Sequence, residues 1–171
     1  YVHIPYCIKR CGYCDFNTYT PSELQDGATL EIVSNDYIDA VLRELESAPT
    51  STVPTIFFGG GTPSLLPPAD LGRVIAAIRK RFELAVDAEI TLEANPDSVT
   101  AEKLAEYLVV GFNRISFGMQ SAKPHVLAAL DRTHNPENVA KAVSMARAAG
   151  FESISVDLIY GTPGESLDDW R

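Results

Sequence analysis

Thr55-Ile56-Phe57-Phe58-Gly59-Gly60-Gly61-Thr62-Pro63 is a short apolar run that stops at three glycines. Its β-branched and aromatic residues read as a buried strand, Thr55–Phe58. An amphipathic segment, Pro68–Phe82, follows and reads as a helix. The stretch is therefore one β/α unit. Its glycines let the backbone approach a ligand closely and tolerate positive φ. They also fit a tight turn into the helix. They are not a nucleotide fingerprint, because the Gly-x-Gly-x-x-Gly and Walker spacings are absent.

The same alternation extends outward. Strand candidates are Tyr1–Pro5, Glu89–Glu93, Arg114–Phe117 and Ser153–Leu158. Helix candidates are Asn35–Ser47, Thr100–Leu108, Pro124–Leu130 and Asn135–Ala149. Ser34 or Asn35 reads as the cap of the first helix, Thr100 opens another, and Asp87 reads as a turn before a strand. Gly111 and Gly150 read as helix stops. Gly111-Phe112-Asn113-Arg114-Ile115-Ser116 and Gly150-Phe151-Glu152-Ser153-Ile154-Ser155 share Gly-Phe-x-x-Ile-Ser, one helix-to-strand link used twice. Alternating β and α implies a parallel sheet with helices outside it. The polar residues fall at the strand ends. Cys7 follows the first strand and Gly59–Pro63 the second. Glu93 and Asn95 end the third, Gln120 follows the fourth, and Asp157 ends the fifth before Gly161-Thr162-Pro163-Gly164. In a parallel barrel that rim carries the active site, and an open parallel sheet binds ligands at the same edge.

The composition allows this fold. With 171 residues, 46% of them hydrophobic, the chain can build one domain's core without disulfides. Fourteen basic against 23 acidic residues, a net charge of −9, argue against general nucleic-acid binding, though not against one local basic site. No apolar run approaches the roughly 18 residues of a transmembrane helix. The chain starts without Met at Tyr1, inside a strand. It stops at Asp168-Asp169-Trp170-Arg171, in what reads as the start of a helix. Residues 1–171 are therefore expected to be a fragment of a longer protein.

The three cysteines, Cys7, Cys11 and Cys14, lie within eight residues. An odd, tight set is a poor disulfide framework and points to metal. A structural zinc site would need a fourth ligand, for which His3 is the candidate. However, His3 reads as a packed or hydrogen-bonding strand residue. Three thiolates alone suit a 4Fe-4S cluster with one iron open to a ligand.

The other rim residues carry alternatives. Glu93 should be paired or solvated, with Arg114 as a partner, since burying a lone carboxylate is costly. Gln120 can bind a hydroxyl or carboxylate. Arg132, in Leu130-Asp131-Arg132-Thr133-His134, can hold a carboxylate bidentately or pair with Asp131 or Glu137. His134 reads as a capping or loop residue, Met119 as core, and Asp157 as inward-facing.

Cys7-x3-Cys11-x2-Cys14, with Tyr13 before the third cysteine, resembles the cluster motif of the radical S-adenosylmethionine (SAM) enzymes. The resemblance implies an open iron that chelates SAM and an electron that cleaves it to a deoxyadenosyl radical. Five further phrases extend the likeness. They are Tyr1-x-His3-Ile4-Pro5-Tyr6-Cys7, Phe58-Gly59-Gly60-Gly61-Thr62-Pro63-Ser64, Glu93-Ala94-Asn95-Pro96, Ser116-Phe117-Gly118-Met119-Gln120-Ser121 and Asp157-Leu158-Ile159-Tyr160-Gly161-Thr162-Pro163-Gly164. Together they resemble the oxygen-independent coproporphyrinogen III oxidase family.

That resemblance implies an α/β fold, a partial parallel (β/α)6 barrel truncated here after about five units. It implies a 4Fe-4S cluster on Cys7, Cys11 and Cys14. It also implies that Tyr1, Tyr13, Gly60, Gly61, Thr62, Glu93, Gln120, Arg132 and Asp157 contact SAM or a second SAM. Oxidases of the family carry another cysteine two positions after the third ligand. Here that position is Phe16, the form of the heme-chaperone branch. The expectation is thus a protein that binds heme and passes it to respiratory acceptor proteins. The alternatives are a porphyrinogen-decarboxylating oxidase and a zinc-stabilised module. An electron donor and a reducing compartment, the cytoplasm, are expected with the cluster.

Overall fold

A computed structural model describes residues 1–24, 30–132 and 134–170. Five strands form one sheet: β1 Val2–Ile4, β2 Thr52–Gly60, β3 Glu83–Ala94, β4 Arg114–Gln120 and β5 Ser153–Leu158. Their order follows the chain, and every neighbouring pair is parallel. Each connection must therefore cross over, and right-handed crossovers in chain order return on the same face. The helices are α1 Leu30–Ser47, α2 Pro68–Arg81, α3 Ala101–Val110, α4 Pro124–Ala129 and α5 Pro136–Ala149. The sheet is open, with β1 and β5 at its edges. Val156 and Leu158 on β5 stay 41% and 48% exposed.

Register and the period of two divide the sheet into unlike faces. Phe58, Leu92 and Ile115 are cross-strand neighbours, as are Ala94 and Phe117. These residues are buried in a core shared with Leu71, Ile75, Leu104 and Tyr107 of the helices. Phe112 packs edge-on against both Phe58, at 5.0 Å between centroids, and Tyr107, at 5.8 Å. Such pairs add about 0.5–1.5 kcal/mol each beyond their buried area. The opposite face carries Thr91, Glu93, Arg114, Ser116, Ser155 and Asp157. A parallel sheet covered on both sides would be apolar on both.

Several boundaries differ from expectation. β2 begins at Thr52, because Pro54 sits at a register shift between Val53 and Thr55, where no ladder N–H is required. β3 begins at Glu83. Val53 pairs with Leu84 but Thr55 pairs with Glu89, so β3 bows out around Val86 and Asp87. Asp87 therefore lies inside a strand rather than in a turn. Ser34, expected as a cap, lies within α1 and is buried. Thr100 does cap α3, accepting from Lys103 N at 3.2 Å. Gly111 and Gly150 end α3 and α5 in the left-handed conformation. The repeated Gly-Phe-x-x-Ile-Ser segments lie in register, with Ile115 beside Ile154 and Ser116 beside Ser155. Met119 is only half-buried and stands outside the core, because β4 changes register beside it. Leu167–Trp170 forms a 3-10 turn; Thr133 and Arg171 lie outside the described residues.

Candidate functional site

One cavity of about 370 Å³ opens at the C-terminal ends of the strands. It is lined by Cys7, Cys11, Tyr13, Cys14, Gly60, Gly61, Thr62, Glu93, Gln120, Arg132 and Asp157, among others. The rim therefore brings together every site residue expected from the sequence except Tyr1.

The cysteine loop is fastened at its base. Tyr6 bridges Tyr19, Cys7 N donates to Tyr19 O at 3.0 Å, and Tyr19 N donates to Pro5 O at 2.6 Å. Cys14 N donates to Cys11 O at 3.1 Å, which makes a turn of the last two thiols. Gly12 N donates to Leu130 O at 3.2 Å and ties the loop to the segment after α4. Cys7 is buried, while Cys11 and Cys14 are half-buried. Burial pushes the Cys7 thiol up, and the Thr62 hydroxyl, 3.8 Å from Sγ, partly opposes it.

The glycine loop lies directly beneath. Gly61 N and Thr62 N donate to Ile4 O and Tyr6 O, each at 2.7 Å. A Cβ on Gly61 would sit 2.6 Å from Tyr6 O, so this position admits no side chain. Gly60 has φ +108°, and a Cβ there would meet the His3 ring at 2.5 Å. Gly60 N donates to the Glu93 carboxylate at 3.3 Å. Burial first, and then the negative charge of Asp157, raise the Glu93 pKa, while that hydrogen bond opposes them. Arg114 does not pair with Glu93; its Nε lies 3.7 Å from Glu89.

A polar ladder supports Asp157 from below. Ser116 Oγ donates to Asp157 Oδ1 at 2.9 Å, and Ser155 Oγ donates to Ser116 Oγ at 2.8 Å. Arg114 donates to Ser155 Oγ at 2.9 Å and to Thr91 Oγ1 at 3.4 Å. Asp157 itself is exposed, and it faces the cavity as expected. The register shift between Gly118 and Gln120, with Gln120 at φ 64°, brings Gln120 to the cavity at the end of β4. Backbone strain of this kind gathers at functional sites.

Arg132 makes neither surface ion pair. Its Nη2 donates to Gly118 O at 2.7 Å and its Nη1 lies 3.4 Å from Cys11 Sγ. Its Nε is buried without a partner among the described residues. Desolvation raises the Tyr13 hydroxyl pKa, with the Arg132 charge opposing it.

Tyr1 stands outside the lining. It is 71% exposed, with its ring stacked on Phe57 at 6.2 Å. His3 Nε2 lies 2.8 Å from Asn17 O, and its Nδ1 lies 3.1 Å from the Tyr1 hydroxyl. A carbonyl only accepts, so Nε2 carries the proton and Nδ1 accepts from Tyr1. His3 is thus a hydrogen-bonding residue with both nitrogens engaged, which removes the fourth ligand of the zinc alternative.

The whole of residues 1–171 matches the Radical SAM superfamily. The chain belongs to that superfamily. Members hold a 4Fe-4S cluster and SAM, and the three thiols on one cavity with an adjoining glycine loop fit such a pair. Over 99% of its length the chain is 49% identical to the heme chaperone HemW of Mycobacterium tuberculosis and 39% identical to that of Escherichia coli. It spans only 43% and 44% of those proteins, less than half their length. The E. coli coproporphyrinogen III oxidase HemN, a radical SAM enzyme, superposes with a TM-score of 0.84 at 31% identity, over 99% of this chain and 38% of that one. The expected partial radical SAM barrel is therefore borne out as an open sheet of five parallel strands.

The sequence reading missed some lining residues of this radical SAM site. Asp97 and Ser98 line the cavity. They sit three and four residues past the end of β3 at Ala94, close to Glu93 in the chain. Ile8 and Lys9, between the first two cysteines, also line it, as does Asp131. Asp131 has φ 54°, a conformation the sequence does not announce.

Proposed function

We propose that this chain is the cluster- and SAM-holding part of a heme chaperone. The observation that carries the reading is the convergence of Cys7, Cys11 and Cys14 with Glu93, Gln120, Arg132 and Asp157 on one cavity. When bound, the cluster and SAM supply one-electron radical chemistry. The three cysteines would hold the cluster. Gly60, Gly61 and Thr62 would let the SAM backbone lie close against the loop. The Glu93 and Asp157 carboxylates would accept from its amino or ribose groups, and Gln120 and Arg132 would donate to its carboxylate. Tyr13 would pack beside it. Tyr1 would act at one remove, by fixing His3 under Gly60.

Two features support heme delivery over decarboxylation. One is the 49% and 39% identity to proteins named heme chaperone. The other is Phe16, where the oxidase pattern has cysteine. Oxidative decarboxylation of coproporphyrinogen III is the second reading, and the likeness to HemN supports it. The described residues contain no helix long and apolar enough to cross a membrane. We place the protein in the cytoplasm, with an electron donor and respiratory heme acceptors as partners, because free thiolates that hold iron need a reducing compartment.

Anaerobic reconstitution of the full-length protein with iron and sulfide tests this. We expect a four-iron electron paramagnetic resonance signal that SAM alters and that Cys7→Ala abolishes. Heme binding without coproporphyrinogen turnover then selects the chaperone, and turnover selects the oxidase. Retention of zinc with no cluster would overturn both.

A further inference from the structure

Two large apolar side chains at the cavity are given no ligand contact in the reading above. Ile8 and Phe16 are 65% and 62% exposed, and both line the cavity. Both lie on the cysteine loop, Ile8 directly after Cys7 and Phe16 two residues after Cys14. Exposed apolar side chains at a cavity mouth offer a contact surface to an apolar ligand. Lys9 stands next to Ile8 and also lines the cavity. Its ion pair with Asp131 is long, at 3.8 Å, and both side chains are more than half exposed. Such an exposed pair is weak and yields readily to another anion. The neighbouring Arg10 is committed elsewhere, to the Thr18 carbonyl and hydroxyl and to Glu23.

We propose that Ile8 and Phe16 form an apolar lip that takes one face of a planar tetrapyrrole, heme, with Lys9 receiving a propionate. The inference rests on the heme reading and says where heme docks. The chemistry of the lip selects among tetrapyrroles. A conjugated, flat macrocycle lies face to face on Phe16, whereas a porphyrinogen, with saturated bridging carbons, is puckered. Heme carries two carboxylates and coproporphyrinogen III carries four. One lysine, held only by the long pair with Asp131, on a chain of net charge −9 suits the smaller anionic load.

The test uses the full-length, cluster-loaded protein titrated with ferric heme and followed by visible absorbance. Ile8→Ser and Phe16→Ser should each weaken heme binding about tenfold, and the pair more. Phe16→Trp should keep it. Lys9→Glu should weaken binding several-fold, with the loss shrinking as salt rises. Coproporphyrinogen III should compete poorly. Heme affinity that is unchanged in the double serine variant overturns the lip while leaving the chaperone reading intact. A lower melting temperature with unchanged heme affinity overturns it too, since the lip would then be covered by the protein's own chain. Equal competition by coproporphyrinogen overturns heme as the occupant. Wild-type protein that binds no heme overturns the chaperone reading itself.

Discussion

Arg132 joins the two halves of the site, with Nη1 3.4 Å from Cys11 Sγ and Nη2 2.7 Å from the carbonyl of Gly118. The guanidinium makes both contacts because its N–H groups diverge in a plane. A lysine ammonium reaches one of them at best. Arg132→Lys should therefore loosen the cysteine loop from β4. A charged hydrogen bond of this kind contributes about 1.5–3 kcal/mol, so a fall in melting temperature of about 3–10 °C is expected. Iron content per chain after reconstitution should fall with it. Full iron loading at an unchanged melting temperature would remove Arg132 as the link.

Gly60 separates conformational strain from a steric clash. At φ +108°, any side chain is strained, and a Cβ would also press on the His3 ring at 2.5 Å. Gly164 has φ +84° with nothing within 4 Å of the same added atom. Gly164→Ala should cost about 1 kcal/mol, the backbone term alone, whereas Gly60→Ala should cost about 2–4 kcal/mol. Urea denaturation of the two variants compares them directly. Equal losses would show that His3 moves aside freely.

Much of this site was legible because each strand ends on its own chemistry. Glu93, Gln120 and Asp157 are single polar residues at the ends of apolar runs, and Gly60–Thr62 and the cysteines follow the same rule. What stayed hidden depends on register. Pairing of Val53 with Leu84 but Thr55 with Glu89 puts Asp87 inside a bowed strand. No local propensity encodes that, because the extra residues are tolerated only against this partner. Arg114 and Glu93 both lie on the polar face of the sheet, opposite the core, so a pairing between them is a reasonable reading of the sequence. The ladder instead brings Arg114 to Thr91, Ser155 and Glu89, lower on the same face. Ile8 and Phe16 were hidden for another reason: apolar residues in a loop give no sign of whether they face inward or out.

His134 should make the protein sensitive to mild acid. It is 5% exposed, and neither ring nitrogen has a hydrogen bond of ordinary geometry among the described residues. Burial, and then the charge of Arg132, hold the imidazole below its ordinary pKa, with Asp97 and the Met119 backbone opposing them. The folded state thus binds the proton less readily than the unfolded chain does. The contribution is present above about pH 6.5, the unfolded value, and is lost as pH falls towards and through the folded value. His134→Leu should remove this part of the acid slope. It should cost little at pH 7.5, because an apolar side chain leaves no unpaired nitrogen buried. Thermal denaturation from pH 5 to 7.5 would decide it. An unchanged slope in the variant would place the acid-labile group elsewhere.

Glu93 has the opposite sign. Its pKa is raised, chiefly by burial, so the folded protein holds the proton more tightly than the unfolded chain. Its favourable contribution is full below the unfolded value of about 4.3 and is lost as pH rises through the folded value. At neutral pH an ionised, half-buried carboxylate therefore opposes folding until a ligand cation meets it. Glu93→Gln keeps an acceptor for Gly60 N and removes the charge. The ligand-free variant should melt higher than wild type at pH 7.5, and the difference should vanish near pH 4.5. SAM should reverse the ranking, stabilising wild type more than the variant, because the ligand's positive groups have lost their carboxylate. If the variant gained as much from SAM as wild type does, Glu93 would not be a SAM contact. If it melted lower than wild type without ligand, the hydrogen bond to Gly60 would outweigh the burial of the charge.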